Sequence, residues 1–208
     1  MAESRQPRRR NGRTGQPSRG RKPNDPRRQS GRSGAGSGRG GPRRPKDGPR
    51  RDLRGAAVDL PRWVVDNLAR VTPDRRVADA LEALGEASAA FSAGKFAKAV
   101  RHARQAKDLA PRDVTVREVL GLSAYRVGDW KEALRELRTY KRLSGESTHV
   151  PVEMDALRAL GRDDDVEQLW QDLRSRGARP AVMKEGTVVY ASFLLDNGRV
   201  DEARKLVH

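Results

Sequence analysis

A short motif headed by glycine recurs along the second half of the chain at nearly constant spacing. The segment GKFAKA at 94–99 returns as GDWKEA at 128–133, an offset of 34 residues. Weaker copies follow as GRDDDV at 161–166 and GRVDEA at 198–203. A period near 34 residues is typical of tandem helical hairpins, each of which buries its apolar face against its neighbours. The sequence therefore predicts an all-α fold, an α-solenoid of about four helical hairpins.

Apolar residues on both sides of each glycine are spaced three or four apart, as on one face of a helix. In the second unit they are Val116, Val119, Leu120, Ala124 and Val127 before the glycine, and Trp130, Leu134 and Leu137 after it. The glycine permits a tight turn between antiparallel helices, because it adopts dihedrals that a Cβ disfavours. Asp129 and Glu132 are spaced as a capping pair for the second helix.

These residues resemble the tetratricopeptide repeat family. Its units carry Leu-Gly and an aromatic residue in the first helix, then Gly at the turn, an aromatic two residues on, and Ala three further. The second unit matches this pattern best, through Leu120, Gly121, Gly128, Trp130 and Ala133, with Tyr125 one place past the family's aromatic position. The resemblance covers about residues 80–208. It implies units at 80–113, 114–146, 147–183 and 184–208.

Residues 55–79 precede the repeats and contain a second apolar pattern. The segment 59–71 predicts a short helix that stops at Thr72-Pro73, because a residue before proline disfavours helical dihedrals. We expect Trp63, Val64 and Leu68 to pack on the open end of the first repeat as a cap, since a solenoid needs its ends covered. The other end, at Leu206 and Val207, has no polar capping helix behind it. Self-association there is a further hypothesis.

The first 54 residues are a different kind of polymer. They hold 18 basic and 4 acidic side chains, a net charge of +14 out of +16 for the chain, with ten Gly and seven Pro. Met1, Ala2, Ala35 and Leu53 are their only apolar residues. So little apolar surface cannot offset a backbone ordering cost of about 1–2 kcal/mol per residue. We therefore predict a long disordered N-terminal tail, an Arg/Gly/Pro-rich basic arm.

A polycationic arm attracts phosphate backbones by charge and counterion release. RNA, the ribosome or DNA are the expected partners, and contact is expected to be sequence-independent because the arm has no aromatic residue for stacking on bases. A solubilising tail and a specific protein-docking segment are the alternatives. The candidate polyanion-binding residues are Arg8, Arg9, Arg10, Arg27, Arg28, Arg43, Arg44, Arg50 and Arg51.

Composition argues against several classes of protein. The chain has no Cys, so disulfides, Cys-ligated zinc and thiol catalysis are excluded. No apolar run approaches the roughly 18 residues that a membrane span needs, and no secretory signal follows the basic N-terminus, so a cytoplasmic location is expected. The three His residues are not spaced as metal ligands, and no nucleophile or phosphate-binding motif is present. We expect no enzyme activity, no metal and no cofactor.

What remains is binding. In the tetratricopeptide family the first helices of the units line a groove that receives a peptide or helix from a partner protein. Carried over residue by residue, the resemblance implies groove residues Phe91, Glu118, Leu122, Tyr125, Arg126, Asp155 and Arg158. Ser88, Ser92, Ser192, Leu195 and Asp196 occupy further groove positions. Tyr125 is either a contact for the partner or a half-buried packing residue.

Two functions follow as hypotheses. The first is a non-catalytic protein–protein interaction scaffold or adaptor that selects a partner through the groove, while the basic arm raises its concentration near RNA, the ribosome or DNA. The alternative is a nucleic-acid-associated protein in which the arm carries the function and the repeats only position it. The sequence names neither the partner nor the pathway.

Overall fold

The structure, a computed structural model, describes residues 60–207. These residues form nine α-helices and no strand, which confirms the all-helical prediction for this part of the chain. The basic arm (1–54) with its candidate arginines, residues 55–59 and His208 lie outside the described residues. The helices are α1 Arg62–Val71, α2 Asp74–Ser92, α3 Phe96–Leu109, α4 Val114–Arg126, α5 Trp130–Ser144, α6 Val150–Ala159, α7 Asp163–Ser175, α8 Pro180–Asp196 and α9 Val200–Val207.

The helices form where apolar residues follow the helical repeat, and at α4 and α5 an Asp side chain caps the first turn. In α5, Leu134, Leu137 and Tyr140 are buried on one face. The carboxylate of Asp129 accepts a hydrogen bond from the backbone N–H of Glu132 at 3.1 Å, so Asp129 caps this helix. The sequence also predicts that the Glu132 side chain accepts in return from the N–H of Asp129. That prediction is wrong, because this N–H donates to the carbonyl of Ala124 at 2.9 Å.

Each helix pair is joined by a turn with a glycine in the left-handed region. Gly94, Gly128, Gly161 and Gly198 have φ between 64° and 79°. Gly128 lies two residues after the end of α4, and its φ is 79°. This conformation lets the chain reverse direction into α5, with only residues 127–129 between the two helices. A side chain with a Cβ is strained in this conformation. The recurring glycine is therefore explained by the backbone of the turn.

Helices adjacent in sequence pack against one another as hairpins. The four pairs are α2 with α3, α4 with α5, α6 with α7, and α8 with α9. Consecutive pairs meet through α3 and α4, α5 and α6, and α7 and α8. The even-numbered helices also contact one another, α2 with α4 and α6 with α8. The side chains of Tyr125 and Asp155 join α4 to α6, so side chains of α4, α6 and α8 come together.

Helix α1 packs on α2. It lies in the segment 55–79, which the sequence assigns to the linker and cap, and α2 begins within the same segment at Asp74. Val64 and Leu68 are buried as expected, at 2% and 0% exposure. Trp63 is not, because its side chain is 60% exposed. The prediction for Trp63 is wrong because it lies about 100° around the helix from its neighbour Val64, and the buried face of α1 is narrow.

Helices α4 and α5 approach closely where the repeat has its small residue. A Cβ built on Gly121 would lie 2.7 Å from Cδ2 of Leu137, which is fully buried. The small residue expected at this position is therefore required by the packing of the hairpin.

Candidate protein-binding groove

A chain of hydrogen bonds and ion pairs joins α4, α6 and α8. The hydroxyl of Tyr125 donates to Oδ2 of Asp155 at 2.5 Å. Arg158, one turn further along α6, donates from Nε to Oδ1 of Asp155 at 2.9 Å and also pairs with Asp196 of α8. Trp130 packs its edge against the ring of Tyr125, with centroids 5.3 Å apart. The sequence placed Tyr125, Asp155, Arg158 and Asp196 in the groove, and the structure brings these four together.

The network satisfies its own charges. Burial disfavours the phenolate, and together with the hydrogen bond to the carboxylate of Asp155 it raises the pKa of Tyr125 to about 12. The hydrogen bond to Asp196, with that to Asp155, raises the pKa of Arg158. Since each polar head is already engaged, these residues fix the three helices relative to one another and leave apolar surface beside them.

Next to this network lies an open groove of about 490 Å³ between α4, α6 and α8. Tyr125 and Asp155 form one side of it, and apolar side chains supply most of its remaining surface. The side chain of Val188 on α8 is 60% exposed there. The lining residues are Tyr125, Pro151, Val152, Asp155, Ala181, Lys184, Glu185, Val188 and Val189.

The groove has the composition of a binding surface for a protein segment. Lys184 and Glu185 are exposed and carry opposite charges at its edge. An apolar centre with a polar rim is the usual arrangement where one protein buries an anchor side chain of another. The groove therefore presents apolar surface at Val188 and Val152 beside the carboxylate of Asp155.

The other predicted groove residues lie apart from this site. Phe91 packs edge-to-face on Phe96, with centroids 5.4 Å apart, and the guanidinium of Arg126 lies 4.1 Å from the centroid of Phe96. Oε1 of Glu118 is 2.7 Å from Nε2 of His149, in the loop before α6. These side chains make contacts between helices within the chain.

Leu122 is half-buried on α4 and does not line the groove. The predicted seven residues therefore separate into the Tyr125 network, an aromatic contact around Phe96, the Glu118 pair and Leu122.

Sequence reasoning missed most of the groove's apolar lining. Val188 lies one helical turn before Ser192, a position that the resemblance assigned to the groove, so extending that stripe backwards by four residues would have found it. Pro151 and Val152 gave no such signal, because their position depends on how the loop after α5 enters α6. The missed residues are Pro151, Val152, Ala181, Lys184, Glu185, Val188 and Val189.

Within residues 60–207 no group of three or more His, Asp or Glu side chains is placed to hold a metal ion. None of the helices described here is both long enough and apolar enough to cross a membrane.

Comparisons with known proteins give no match. No protein-family model matches the chain. No curated protein and no solved structure matches it significantly.

Proposed function

We propose that the chain is a non-catalytic scaffold or adaptor, a tetratricopeptide-like α-solenoid that binds a segment of a partner protein in the groove between α4, α6 and α8. The observation that carries the proposal is the exposure of Val188 in an apolar groove beside polar groups that are already hydrogen-bonded. Its expected location is the cytoplasm.

The arrangement of helices supports the solenoid. The recurring glycine of the 34-residue motif lies at the turn inside each helix pair, and each pair packs on the next. In a repeat protein of this kind the first helices of the units lie side by side and form an extended surface. The even-numbered helices here have that relationship, and the groove lies among them.

The energetics favour a protein segment as the ligand. Apolar area of this kind contributes roughly 25 cal/mol for each Å² removed from water. Burying Val188 and its neighbours against one anchor side chain of a partner therefore supplies a useful part of a binding free energy. The internal bonds of Tyr125, Asp155 and Arg158 hold the groove open in one shape, which lowers the entropy cost of binding.

Site-specific photo-crosslinking in the full chain tests the proposal. A photoreactive amino acid at position 188 is compared with the same amino acid at Val71, whose side chain is also exposed but lies on α1. We expect nuclease-resistant protein adducts from position 188 only. The substitution Val188→Asp should abolish capture of the same partner by the full chain, and Val71→Asp should not.

The nucleic-acid-associated protein is the second candidate, and the net charge of +14 in residues 1–54 favours it. It predicts a different result from the same experiment. All retained material would be released by nuclease, and capture would be the same for Val188→Asp and Val71→Asp. That outcome would contradict the scaffold proposal.

A further inference from the structure

Helix α5 exposes a row of positive charges and nothing else. Its exposed residues are Lys131, Arg135, Arg138 and Arg142, and every other residue of α5 is buried or half-buried. Spacings of four, three and four place them on one face. At a rise of 1.5 Å per residue the row is about 16 Å long.

Helix α3 adds a second row beside the first. Arg101 and Arg104 are exposed on α3, as is Asp108 one turn beyond Arg104, and Arg104 is held next to Arg135 by a shared carboxylate. Glu132 accepts from Nε of Arg104 at 2.9 Å and from Nη2 of Arg135 at 2.8 Å. We call this surface the basic ridge and define it by Arg101, Arg104, Lys131, Arg135, Arg138 and Arg142.

The negative charges that hold the basic ridge together are hidden beneath it. The side chains of Glu132 and Glu136 are 6% and 0% exposed, whereas those of Arg104 and Arg135 are 48% and 59% exposed. Burial alone would raise the pKa of Glu136, but hydrogen bonds from Arg117 and Arg135 outweigh it and the pKa is lowered. The lowered pKa keeps Glu136 ionised at neutral pH. The two buried carboxylates bind cations from below, while the surface that meets solvent is positive.

Other acidic groups limit the ridge on its two sides. Asp129 lies 3.4 Å from Arg104, and Glu153 lies 4.0 Å from Arg138 but is only 3% exposed. On the α7 side, Asp165 and Asp172 line a groove of about 410 Å³ together with Arg138 and Arg142. A polyanion is therefore repelled from α7 and directed over α3 and α5.

We propose that the basic ridge binds the sugar-phosphate backbone of duplex DNA without reading its sequence. The inference does not depend on the proposed protein-binding groove, which lies among the even-numbered helices. It also differs from binding by the N-terminal arm, because the ridge belongs to the folded repeats.

The chemistry of the ridge favours nucleic acid over an acidic protein. Among the described residues, the large exposed apolar side chains lie on other helices or in turns, and none is on α3 or α5. Protein interfaces obtain most of their binding energy from buried apolar and aromatic anchors, which this surface does not offer. Phosphate contacts, in contrast, need only cationic side chains at suitable spacing.

The same residues favour a duplex over a single strand. Single-strand binders stack bases on exposed aromatic rings, and no exposed residue of α3 or α5 is aromatic. Cations of α3 and α5 meet where Arg104 and Arg135 share Glu132, so the ridge offers contacts to more than one line of phosphates on a duplex. The exposed side chains of α5 are donors only, so they suit phosphate oxygens and leave the hydrogen of a ribose 2′-hydroxyl without an acceptor.

Fluorescence anisotropy of a labelled duplex DNA, titrated with the full chain at several salt concentrations, tests the proposal. The ridge variant is Lys131→Ala/Arg138→Ala/Arg142→Ala, which spares the arginines bonded to Glu132. The control variant is Arg62→Ala/Arg75→Ala/Arg76→Ala, which removes the same charge from exposed positions of α1 and α2 and keeps the arm intact.

The ridge variant should raise Kd by about tenfold or more and reduce the slope of log K against log salt by about 2.7, since each lost phosphate contact removes about 0.9. The control should change Kd by no more than about twofold, which is the remaining long-range effect of charge. Equal losses in the two variants would overturn the proposal. Arg138→Lys/Arg142→Lys should retain binding, because backbone contacts require charge and not guanidinium geometry.

A measurement on the unaltered protein removes any dependence on how the variants fold. Acetylation of lysines by a water-soluble reagent should be suppressed at Lys131 when duplex DNA is added, and not at Lys205 on α9. Equal labelling of Lys131 with and without DNA would contradict the proposal. Tighter binding of single-stranded RNA or of polyglutamate than of duplex DNA, lost in the ridge variant, would show that the ridge serves another polyanion.

Discussion

The hydroxyl of Tyr125 on α4 donates a hydrogen bond to Oδ2 of Asp155 on α6 at 2.5 Å, joining helices of successive repeat units across 30 positions of sequence. The bond forms one side of the candidate groove. Because Asp155 also accepts from Arg158, the contact extends toward Asp196 on α8. This relationship indicates that the groove is shaped by polar contacts between units as well as by the apolar core.

A double-mutant cycle with Tyr125→Phe and Asp155→Ala should reveal this coupling. We expect each single variant to lower the free energy of unfolding, and the double variant to lose less than the sum by about 1 kcal/mol, as is typical of a hydrogen bond to a charged group at a partly exposed site. Urea denaturation of the native protein, the two single variants and the double variant measures this coupling free energy. Strict additivity would show that the two side chains do not interact in solution.

The tyrosines should ionise late in an alkaline titration. Burial, with hydrogen bonds to Asp155 and to Glu167, raises the pKa values of Tyr125 and Tyr190 to about 12. Because the folded pKa lies above the unfolded value of 10, the stability from these groups is complete below pH 10 and is lost as the pH rises through 12. Ultraviolet absorbance of tyrosinate follows the titration.

Substitution of Tyr125 by Phe should remove one of the ionisations that occur near pH 12. In the protein unfolded in urea, all tyrosines should ionise near their usual pKa of about 10. If every tyrosine of the native protein titrated near pH 10, the hydrogen bonds to Asp155 and Glu167 would not be present.

Gly94 should be required for its backbone conformation alone. Its φ is 71°, and a Cβ added there would meet nothing within 4 Å. Gly94→Ala should therefore lower the free energy of unfolding by about 1–2 kcal/mol, the cost of left-handed dihedrals in a residue with a Cβ. Gly94→Asn is the matched control and should cost less, since Asn tolerates this region. Equal stability of all three proteins would contradict the explanation.

The period and the helices could be predicted from sequence because each depends on local spacing. A glycine every 34 residues or so and apolar residues three or four apart determine where a helix turns and which face it buries. The exposure of Trp63 could not be predicted, because it depends on the narrow contact between α1 and α2. Likewise, the carboxylate of Glu132 does not accept the hydrogen bond that was expected at the start of α5. It accepts one from Arg104, which is 28 residues away in sequence.

The candidate site was predicted only in part for the same reason. Positions on the first helices gave Tyr125, Asp155, Arg158 and Asp196, which meet in the structure. The apolar lining includes Pro151, in the first turn of α6, and Val188 on α8. These residues come together only because α6 packs against α8. The basic ridge was also visible in sequence as cations at 131, 135, 138 and 142, but only the structure shows that these are the exposed residues of α5.

Glu136 should be among the most sensitive polar positions of the repeats. Its fully buried carboxylate accepts hydrogen bonds from Lys107, Arg117 and Arg135. Glu136→Gln removes the charge that these cations require, and we expect a loss of about 3 kcal/mol in the free energy of unfolding at neutral pH. Urea denaturation measures it, with Glu82→Gln on the exposed surface of α2 as control.

The loss should depend on pH with a defined sign. Since the folded pKa of Glu136 lies below its unfolded value of 4.5, the stabilisation is present above that pH and disappears as the pH falls through the folded value. The difference between the native protein and Glu136→Gln should therefore shrink in acid. A difference that is constant from neutral to acidic pH would assign the effect to packing and not to charge.

Glu153 should respond in the opposite way although it is equally buried. Its side chain is 3% exposed, and the nearest cation, Arg138, lies 4.0 Å away. Burial therefore raises the pKa of Glu153, with Lys141, Arg138 and His149 only partly opposing it. A raised folded pKa means that this group favours the folded state below its unfolded value of 4.5 and that the benefit is lost as the pH rises through the folded pKa.

Glu153→Gln imitates the protonated form, so it should leave stability at neutral pH unchanged or higher, in contrast to Glu136→Gln. Urea midpoints at neutral and acidic pH decide the matter, and a loss at neutral pH as large as that of Glu136→Gln would mean that Glu153 is firmly ion-paired in solution.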